Sequence, residues 1–532
     1  MRPSIDQPRP LFESLETRQL LSAGQLDSAF GNGGTVQTNL GLSGASGVAV
    51  QADGKILVSA GGDGFQGFNL VRYNADGNLD TSFGDDGVVT ALHDDTLVAM
   101  VVQSDGKIVL AGFSRASDSS GSTMSTVLTR YNADGTLDTT FGDNGVVSLP
   151  GDTYPNNGAP RATFSPGNVK LAAQADGKIV LTQVLGDDGT TSGADLVVIR
   201  LTDAGTLDDS FGVHGKAVVE LGVMEIPQDL ALQGDGKIVI VIDGHSVVTS
   251  GNSTSWPSYN DYLIRLNTDG SMDTTFGAGG VVTEPHTTPQ IYATKIAIGL
   301  DGKILFIGED YGGPNEDQFL IRYNADGSRD TSFGTGGKLV LSPGLGGSYA
   351  DVLVQPDGKI LLTGETTGAN DRPSILSQRL NDDGSLDSSY GDGGTTAITV
   401  GGQFDFGRAM ALQQDGSVVI VGFADKTHDE TNQDLMDIAM TRLLGDAGAA
   451  GSKHASLRRG KDQQTEYLGR TKTTRHHRSP KRIAMELAAA RKSHRSPKRI
   501  AMELAAQQSH RSPKRIAMEL AAKTFNSATP IS

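Results

Sequence analysis

The sequence predicts an all-β protein, a seven-bladed β-propeller of four-stranded antiparallel blades. Three observations carry this prediction. A short motif recurs seven times at intervals of roughly 52 to 71 residues, each interval holds four short apolar runs, and the two ends of the repeat array carry complementary halves of one repeat. Four strands at this period are typical of a propeller blade, because a solenoid rung needs only about 20–30 residues.

Composition agrees with a turn-rich chain. The 532 residues include 69 glycines without a collagen period, and they include no cysteine. The absence of cysteine excludes disulfides, Cys-ligated zinc and thiol catalysis. No run of about 18 apolar residues is present, so the sequence predicts no membrane-spanning helix.

The charge is divided between two parts of the chain. Residues 447–532 carry 19 Lys and Arg against 5 Asp and Glu, a net charge of +14, whereas the whole chain carries −17, so residues 1–446 carry −31. An acidic globular part repels phosphates, and we therefore expect no nucleic-acid ligand for it. The asymmetry suggests a separate role for the tail.

The first repeated marker runs from an arginine to an aromatic residue 11 positions later. Its copies are Arg72–Phe83, Arg130–Phe141, Arg200–Phe211, Arg265–Phe276, Arg322–Phe333 and Arg379–Tyr390. The second marker, Gln-x-Asp-Gly-Lys before an apolar run, has its aspartate at Asp53, Asp105, Asp176, Asp235, Asp301, Asp357 and Asp415. In the first copy we predict strands at 47–51, 55–60, 69–73 and 87–90, with Asp-Gly turns between them.

The ends of the array predict ring closure. The domain opens with the back half of the repeat, around Asp27 and Phe30, and finishes with its front half, around Arg442. The first strand, 35–38, should therefore complete the blade whose other three strands come last, which gives the edge strands partners.

Length variation separates two faces of the predicted ring. Insertions fall between the second and third strands (the longest, 243–261, contains the only Trp, Trp256) and between the fourth and first strands (the longest is 150–166). These two connections lie on the same face of an antiparallel blade. Insertions concentrated on one face are how repeat proteins usually carry a binding site.

The recurring Gly-x-Leu-Asp-x-x-Phe-Gly-x-x-Gly core resembles the delta-60 repeat family of bacterial surface and secreted proteins. The resemblance covers 24–448 and implies a β-propeller of unassigned biochemical role. The departures are mild: Tyr390 replaces Phe, Met272 and Arg329 replace Leu, and Ala204-Gly205 replaces Asp-Gly.

The N-terminal segment 11–23, with Leu-Glu-Thr-Arg-Gln-Leu-Leu-Ser, resembles the surface-targeting motif of planctomycete exported proteins. It is not a standard secretory signal, because Glu13, Glu16 and Arg18 interrupt its apolar region. The resemblance implies an extracellular or cell-surface protein. The alternative is an ordinary disordered leader.

Two interpretations fit the repeated Asn-Ala-Asp-Gly-x-x-Asp segment. Calcium loops place oxygens at alternate positions around a glycine turn, so calcium is a candidate cofactor. An arginine two positions before the asparagine opposes a cation, however, and Asn, Asp and Gly also nucleate turns without a metal. We favour the turn and expect no cofactor. The weak calcium candidates are Asn74, Asp76, Asp80, Asn132, Asp134, Asp138, Asn324, Asp326 and Asp330.

Seven arginines and seven aspartates recur in register and predict an Arg–carboxylate clasp, bidentate where geometry allows, in each connection between third and fourth strands. A ligand-binding ring is the functional alternative. The seven aromatics should anchor neighbouring blades. The clasp residues are Arg72, Arg130, Arg200, Arg265, Arg322, Arg379 and Arg442 with Asp80, Asp138, Asp208, Asp273, Asp330, Asp387 and Asp27.

Catalytic patterns find little support. Five histidines precede the tail, none at a repeated position, and no His-Glu-x-x-His or Gly-x-Ser-x-Gly motif is present. We therefore predict no catalytic residues, no metal ligands beyond the calcium candidates, and a protein that is not an enzyme. A propeller hydrolase acting on extracellular polysaccharide or a similar substrate is the alternative.

The tail contains a second repeat, His-Arg-Ser-Pro-Lys-Arg-Ile-Ala-Met-Glu-Leu-Ala-Ala, beginning at His477, His494 and His510. Each copy reads as a short helix with Ser as N-cap, although units this short are marginal alone. We expect a disordered or weakly helical basic appendage. The functional alternative is an electrostatic tether to an anionic surface or to the acidic propeller.

These patterns predict a leader at 1–23, the propeller at 24–448 and a basic tail at 449–532. We expect a monomeric binding or structural module at the cell surface. Its partner would be a protein or a carbohydrate, met on the variable-loop face.

Overall fold

A computed structural model describes the chain between residues 22 and 446. The gaps are 41–43, 62–67, 91–95, 118–120, 156–168, 186–194, 246–247, 251–252, 256–258, 286–290, 311–317, 342–346, 368–371, 402–403 and 426–435. The chain divides into two compact units, Met1–Arg470 and Thr471–Ser532, and every described residue lies in the first.

Thirty strands make up the described secondary structure, and they follow one another along the chain as follows. They are β1 Thr35–Thr38, β2 Ala45–Val50, β3 Ile56–Gly61, β4 Phe68–Tyr73, β5 Val88–Thr90, β6 Thr96–Val102, β7 Ile108–Ser117, β8 Gly121–Tyr131, β9 Val146–Pro155, β10 Leu171–Ala173, β11 Ile179–Leu185, β12 Asp195–Leu201, β13 Lys216–Val219, β14 Met224–Leu232 and β15 Ile238–His245. The remainder are β16 Val248–Ser250, β17 Ser253–Ser255, β18 Tyr259–Leu266, β19 Val281–Pro285, β20 Ile291–Ile298, β21 Ile304–Asp310, β22 Gln318–Tyr323, β23 Lys338–Leu341, β24 Ser348–Val354, β25 Ile360–Thr367, β26 Pro373–Leu380, β27 Thr395–Ile398, β28 Phe404–Leu412, β29 Val418–Asp425 and β30 Met436–Leu443.

Seven four-stranded antiparallel sheets contain all of these strands except β16 and β17, which pair with each other, and the predicted seven-bladed propeller is confirmed. Blades 1 to 6 are β2–β5, β6–β9, β10–β13, β14-β15-β18-β19, β20–β23 and β24–β27, and blade 7 has the order β28-β29-β30-β1. In blade 1 the first strand begins two residues before the predicted boundary, because a β-bulge at Ser46 lets pairing continue past the apolar run.

Blade 7 closes the ring as its sequence halves predict. Strand β1 pairs antiparallel with β30, with Val36 opposite Met440 and Gln37 opposite Ala439. The two strands lie about 400 positions apart in the sequence, so one sheet ties the beginning of the propeller to its end.

The blades pack around a central channel. The first strands β2, β6, β10, β14, β20, β24 and β28 contact one another in a complete cycle. Seven buried apolar clusters fill the spaces between neighbouring blades, one for each pair. Every blade is therefore apolar on both faces, which explains the near-continuous Val, Ile and Leu runs of the second and third strands.

The two ends of the strands differ. At one end, here called the constant face, every first and second strand are joined by a five-residue turn, as at Gln51–Lys55, and every third strand meets the repeated Arg-to-aromatic segment. At the other end, the variable face, lie the connections from second to third and from fourth to first strands. The described ranges between 22 and 446 are interrupted only within these variable connections.

Candidate functional site

The repeated arginines meet the predicted aspartates on the constant face in all seven blades. In each pair the arginine Nε donates to one carboxylate oxygen at 2.6–2.8 Å. The pairs are Arg72–Asp80, Arg130–Asp138, Arg200–Asp208, Arg265–Asp273, Arg322–Asp330, Arg379–Asp387 and Arg442–Asp27. The seventh pair joins residues from the two ends of the propeller.

These pairs are not bidentate, because only one carboxylate oxygen faces the arginine: the other accepts from the residue two positions later, as Asp138 Oδ1 does from Thr140 N and Oγ1. The arginine Nη1 points to the next blade. Arg72 Nη1 donates to the carbonyl of Ala133, and Arg442 Nη1 to that of Ala75. Arg379 instead makes its two-pronged contact with Asp446, at 2.9 and 3.0 Å. Each arginine therefore joins one blade to its neighbour as well as holding its own connection.

A lysine completes the clasp in six blades, and sequence reasoning missed it. The Lys of Asp-Gly-Lys lies beside the same carboxylate, for example Lys55 Nζ 2.8 Å from Asp80 and Lys107 Nζ 3.3 Å from Asp138. Blade 7 has Ser417 at this position. The lysine belongs to the second repeated marker and the clasp aspartate to the first. Their proximity follows only from the pairing of the strands.

The clasp carboxylates are strongly stabilised as anions. At Asp138, burial raises the pKa, but hydrogen bonds from the Thr140 hydroxyl and backbone and the charges of Arg130 and Lys107 outweigh it and hold the pKa at about 2. Asp330 has the same balance of burial and hydrogen bonds and the same pKa of about 2. An anion saturated by protein donors has little capacity left for a ligand.

The seven repeated aromatics are buried beneath the clasps, each with its arginine Cζ 4.3–4.7 Å from the ring centroid. They also contact the next blade. The ring of Phe83 lies where a Cβ on Gly135 of blade 2 would come within 2.9 Å of it, and Gly84 N donates to the carbonyl of Asp134. The ring, the arginine and the backbone together form the inter-blade contact on the constant face.

The calcium candidates divide between the clasp and exposed turns. Asp80, Asp138 and Asp330 already accept bonds from arginine, lysine and hydroxyl donors. Asp134 is exposed and accepts from the backbone and hydroxyl of Thr136, an Asx turn of the kind proposed from the sequence. Across the described ranges, no three His, Cys, Asp or Glu side chains are grouped to hold a metal ion.

Charged residues of alternating sign occupy one equivalent position on the first strands of four successive blades. The residue six positions before each turn aspartate is Lys170, Asp229, Lys295 and Asp351 in blades 3 to 6, and Gly47, Ala99 and Ala409 in blades 1, 2 and 7. The two aspartates bridge blades: Asp229 Oδ2 accepts from Ile296 N and Asp351 Oδ2 from Met410 N, each at 3.0 Å. Burial raises the pKa of Asp351 to about 6, although Lys295 opposes this.

A second network joins the fourth strand of blade 4 to the constant-face connection of blade 5. Glu284 accepts from the hydroxyl of Tyr323 at 2.6 Å and from Arg329, whose guanidinium lies 4.9 Å from the Tyr323 ring. Arg329 is one of the departures from the repeat, where Leu is usual. The replacement of Leu by Arg329 therefore has a structural reason, because Arg329 is the ion-pair partner of Glu284 in the preceding blade.

Several predicted features fall outside the described residues. These are the leader 1–21, the tail from 447 onward, Trp256, and the side chains of His93, His245, His286 and His428. His214, the remaining histidine of the propeller, is exposed on the constant face, 3.6 Å from Asp209. Part of the long insertion is described, as the hairpin of β16 and β17. The described part of the chain contains no helix able to cross a membrane.

Comparison with known proteins agrees with the repeat. Five segments, 51–83, 103–141, 233–276, 300–333 and 355–390, match the family model described as "Domain of unknown function (DUF5122) beta-propeller". No curated protein matches the chain.

Several solved structures match the chain at low identity and with low TM-scores. A putative oxidoreductase (glucose dehydrogenase) from Thermus thermophilus is 12% identical, with a TM-score of 0.34 over 77% of this chain and 99% of its own. The calcium-binding protein regucalcin from Agrobacterium tumefaciens is 10% identical, with a TM-score of 0.33 over 77% and 94%. The soluble aldose sugar dehydrogenase of Escherichia coli is 14% identical, with a TM-score of 0.33 over 62% and 96%. At these values none bears on the activity of this chain.

Proposed function

We propose that the propeller is a non-enzymatic binding or structural module outside the cell, with its ligand contacts on the variable face. One observation carries the proposal. All seven clasps lock the constant face with donors and acceptors that already satisfy one another, whereas every connection of variable length emerges from the opposite face. Recognition residues concentrate on variable connections held by a rigid scaffold.

The extracellular location rests on the resemblance of residues 11–23 to a surface-targeting motif. The net charge of −31 over residues 1–446 disfavours nucleic acid and other polyanions as ligands. A carbohydrate or a protein of the cell envelope remains the partner class that fits an acidic surface.

The experiment compares the full chain with a variant whose longest insertion is removed. His245 and Tyr259 are paired in register, so residues 246–258 can be replaced by an Asn-Gly turn without disturbing β15 or β18. We expect the native chain to bind isolated envelope or its polysaccharides, and the shortened chain to bind at least about tenfold more weakly, which corresponds to about 1.4 kcal/mol. Equal binding by both chains would contradict the proposed face.

The runner-up function is a propeller hydrolase acting at the same face. Its carboxylates would have to reach substrate, and the two that face each other across β15 and β18, Asp243 and Asp261, are 2% and 0% exposed. Reducing ends or fragments released from a bound polysaccharide would establish the hydrolase in place of the binding module.

A further inference from the structure

Blade 5 lacks a side chain that the other six blades share. The residue two positions before the turn aspartate is Gly299 in blade 5 and a glutamine elsewhere, namely Gln51, Gln103, Gln174, Gln233, Gln355 and Gln413. The φ angle of Gly299 lies outside the left-handed region that favours glycine, so the backbone accepts a larger residue here. Gly299 therefore removes a carboxamide from the constant face without a conformational reason.

Blade 2 shows what this carboxamide contacts at the boundary with the next blade. Gln103 Oε1 accepts from Arg130 Nη1 at 3.3 Å. Its Nε2 donates to the carbonyl of Gly177 at 2.6 Å and lies 3.4 Å from Asp203 Oδ1. One carboxamide is thus surrounded by a guanidinium donor, a turn carbonyl and a carboxylate. Gln233 of blade 4 has the same first two kinds of contact.

The same three partners meet at the boundary of blades 5 and 6 without the carboxamide. Arg322 Nη1 donates to the carbonyl and the carboxylate of Asp382, the same bonds that the arginine of blade 2 makes in addition to its bond with the glutamine. Gly358 occupies the place of Gly177, and no described group donates to its carbonyl. The clasp between Arg322 and Asp330 is intact, so only the carboxamide is missing.

These partners line a cavity of about 300 Å³ that opens on the constant face. A further acceptor lines it, the Oε1 of Gln355, which is buried and has no hydrogen-bond partner among the described residues. In other blades this oxygen accepts from the arginine of its own blade, but here Arg379 Nη1 bonds to Asp446. A buried acceptor without a donor costs free energy, so a ligand that donates to it is favoured.

Two exposed apolar residues stand beside the cavity. The residue after the glutamine position is Leu300 in blade 5 and Pro356 in blade 6, and both line the cavity. Leu300 is 85% exposed. The other blades have Ala52, Ser104, Ala175, Gly234 and Gln414 at this position. Leu300 and Pro356 therefore offer an apolar wall to the body of a ligand whose polar group enters the cavity.

The charges around the cavity select a neutral ligand. An anion would meet the carboxylates of Asp301, Asp357 and Asp382, and a cation would meet Lys303 and Arg322. A primary carboxamide is neutral, and one planar group carries both an acceptor oxygen and two N–H donors. It is also the group that blade 2 supplies from its own chain to the equivalent partners.

We propose that this cavity binds a primary carboxamide that is attached to an apolar body. Arg322 donates to its oxygen, the Gly358 carbonyl and Gln355 Oε1 accept from its nitrogen, and Leu300 covers the apolar body. A small carboxamide and a glutamine or asparagine side chain of a peptide share this chemistry. The site lies on the constant face and is independent of the binding proposed for the variable face.

The test titrates the full chain with benzamide, with butyramide and, as the peptide source, with N-acetylglutamine methylamide, and follows binding by saturation-transfer NMR of the ligand. Butyrate, butylammonium and methyl butyrate are the comparison compounds, because they keep the apolar body of butyramide and change only its polar group. We expect at least one carboxamide to bind with a dissociation constant below about 10 mM. The comparison compounds should bind at least about fivefold more weakly than butyramide.

Gly299→Gln supplies the carboxamide of the repeat and should weaken carboxamide binding about tenfold or more. The closest contact of the new Cβ is the exposed carboxylate of Asp301, at 2.6 Å, and six blades already carry this glutamine, so the variant should melt no lower than the native chain. Gly234→Gln is the matched control. It adds the same side chain to the exposed turn of blade 4, where a Cβ would meet nothing within 4 Å, and its binding should stay within about twofold of the native value.

Three results would overturn the proposal. Carboxamide binding that survives Gly299→Gln would remove the ligand from this cavity. Butyrate or butylammonium binding as tightly as butyramide would replace the carboxamide by a charged group. Failure of all three carboxamides to bind would leave the cavity without the proposed ligand. Binding of N-acetylglutamine methylamide alone would support the proposal with a peptide as the source, and tighter binding of benzamide or butyramide would support it with a small molecule.

Discussion

At the scale of single residues, the clasp arginine has more contacts than its pairing with one aspartate suggests. Arg130 is 1% exposed, and it contacts Asp138 in its own connection, Gln103 in the preceding turn and Asp203 in the next blade. Its guanidinium also covers the ring of Phe141. Removing it leaves a buried carboxylate with only Lys107 and Thr140 to compensate.

We therefore expect Arg130→Ala to lower the free energy of unfolding by about 3 kcal/mol, the usual cost of breaking a buried ion pair. Denaturant unfolding measures this loss. Arg372→Ala, at an exposed position, is the control and should change the free energy by less than about 0.5 kcal/mol. An unchanged midpoint for Arg130→Ala would show that the clasp does not stabilise the ring.

Glu225 makes the stability of the fold depend on pH. It is 0% exposed, Leu221 N donates to its Oε1 at 2.8 Å, and burial raises its pKa from 4.5 to about 7. The folded protein thus holds this proton more tightly than the unfolded chain does. Stability falls as pH rises from about 4.5 to about 7, because the unfolded chain releases the proton first.

Glu225→Gln removes this loss. We expect the variant to match the native protein near pH 4.5 and to exceed its free energy of unfolding by about 2–3 kcal/mol at pH 8. Denaturant titrations at both pH values measure the difference. The same slope with pH in the two proteins would mean that Glu225 is ionised without penalty in the fold.

At the scale of elements, most of the blade could be predicted and the contacts between blades could not. Strand number and turn positions follow from two markers that recur with constant spacing. The Nη1 bonds from Arg72 to Ala133 and the approach of Phe83 to Gly135 depend on how blades stack, which no spacing within one repeat expresses. The charges of Asp229 and Lys295 were missed because they replace small residues in only some blades.

Two glycines of blade 2 separate turn geometry from blade packing. Gly106 and Gly135 both have φ near +90°, so alanine strains either backbone. A Cβ at Gly106 would meet only Ala133, at 3.4 Å, whereas at Gly135 it would lie 2.9 Å from Phe83 and Val89 of blade 1.

We therefore expect Gly106→Ala to lower the free energy of unfolding by about 1 kcal/mol, the strain alone. Gly135→Ala should cost at least about 1–3 kcal/mol more, the usual penalty for overpacking. Thermal or denaturant unfolding of the two variants measures the difference. Equal losses would indicate that the aromatic anchor does not press on the neighbouring turn.

At the scale of the whole molecule, the ring is closed by one short strand and one ion pair. Strand β1 supplies the outer edge of blade 7, and Asp27 supplies the partner of Arg442. If this closure holds, the constant face is continuous through all seven blades and the variable connections all emerge together from the opposite face. The proposed binding surface depends on that arrangement.

The closure is tested most directly by a cross-link between β1 and β30. Arg442 N donates to Gly34 O, so in this register Gln37 and Ala439 form a non-hydrogen-bonded pair, whose Cα atoms in antiparallel sheets are about 4.5 Å apart, within disulfide range. The chain has no cysteine of its own. Under mild oxidation the double variant Gln37→Cys/Ala439→Cys should form one intramolecular disulfide and melt at a higher temperature, while either single variant should not. Two free thiols in the folded, oxidised double variant, or disulfides only between molecules, would contradict a ring closed by the N-terminal strand.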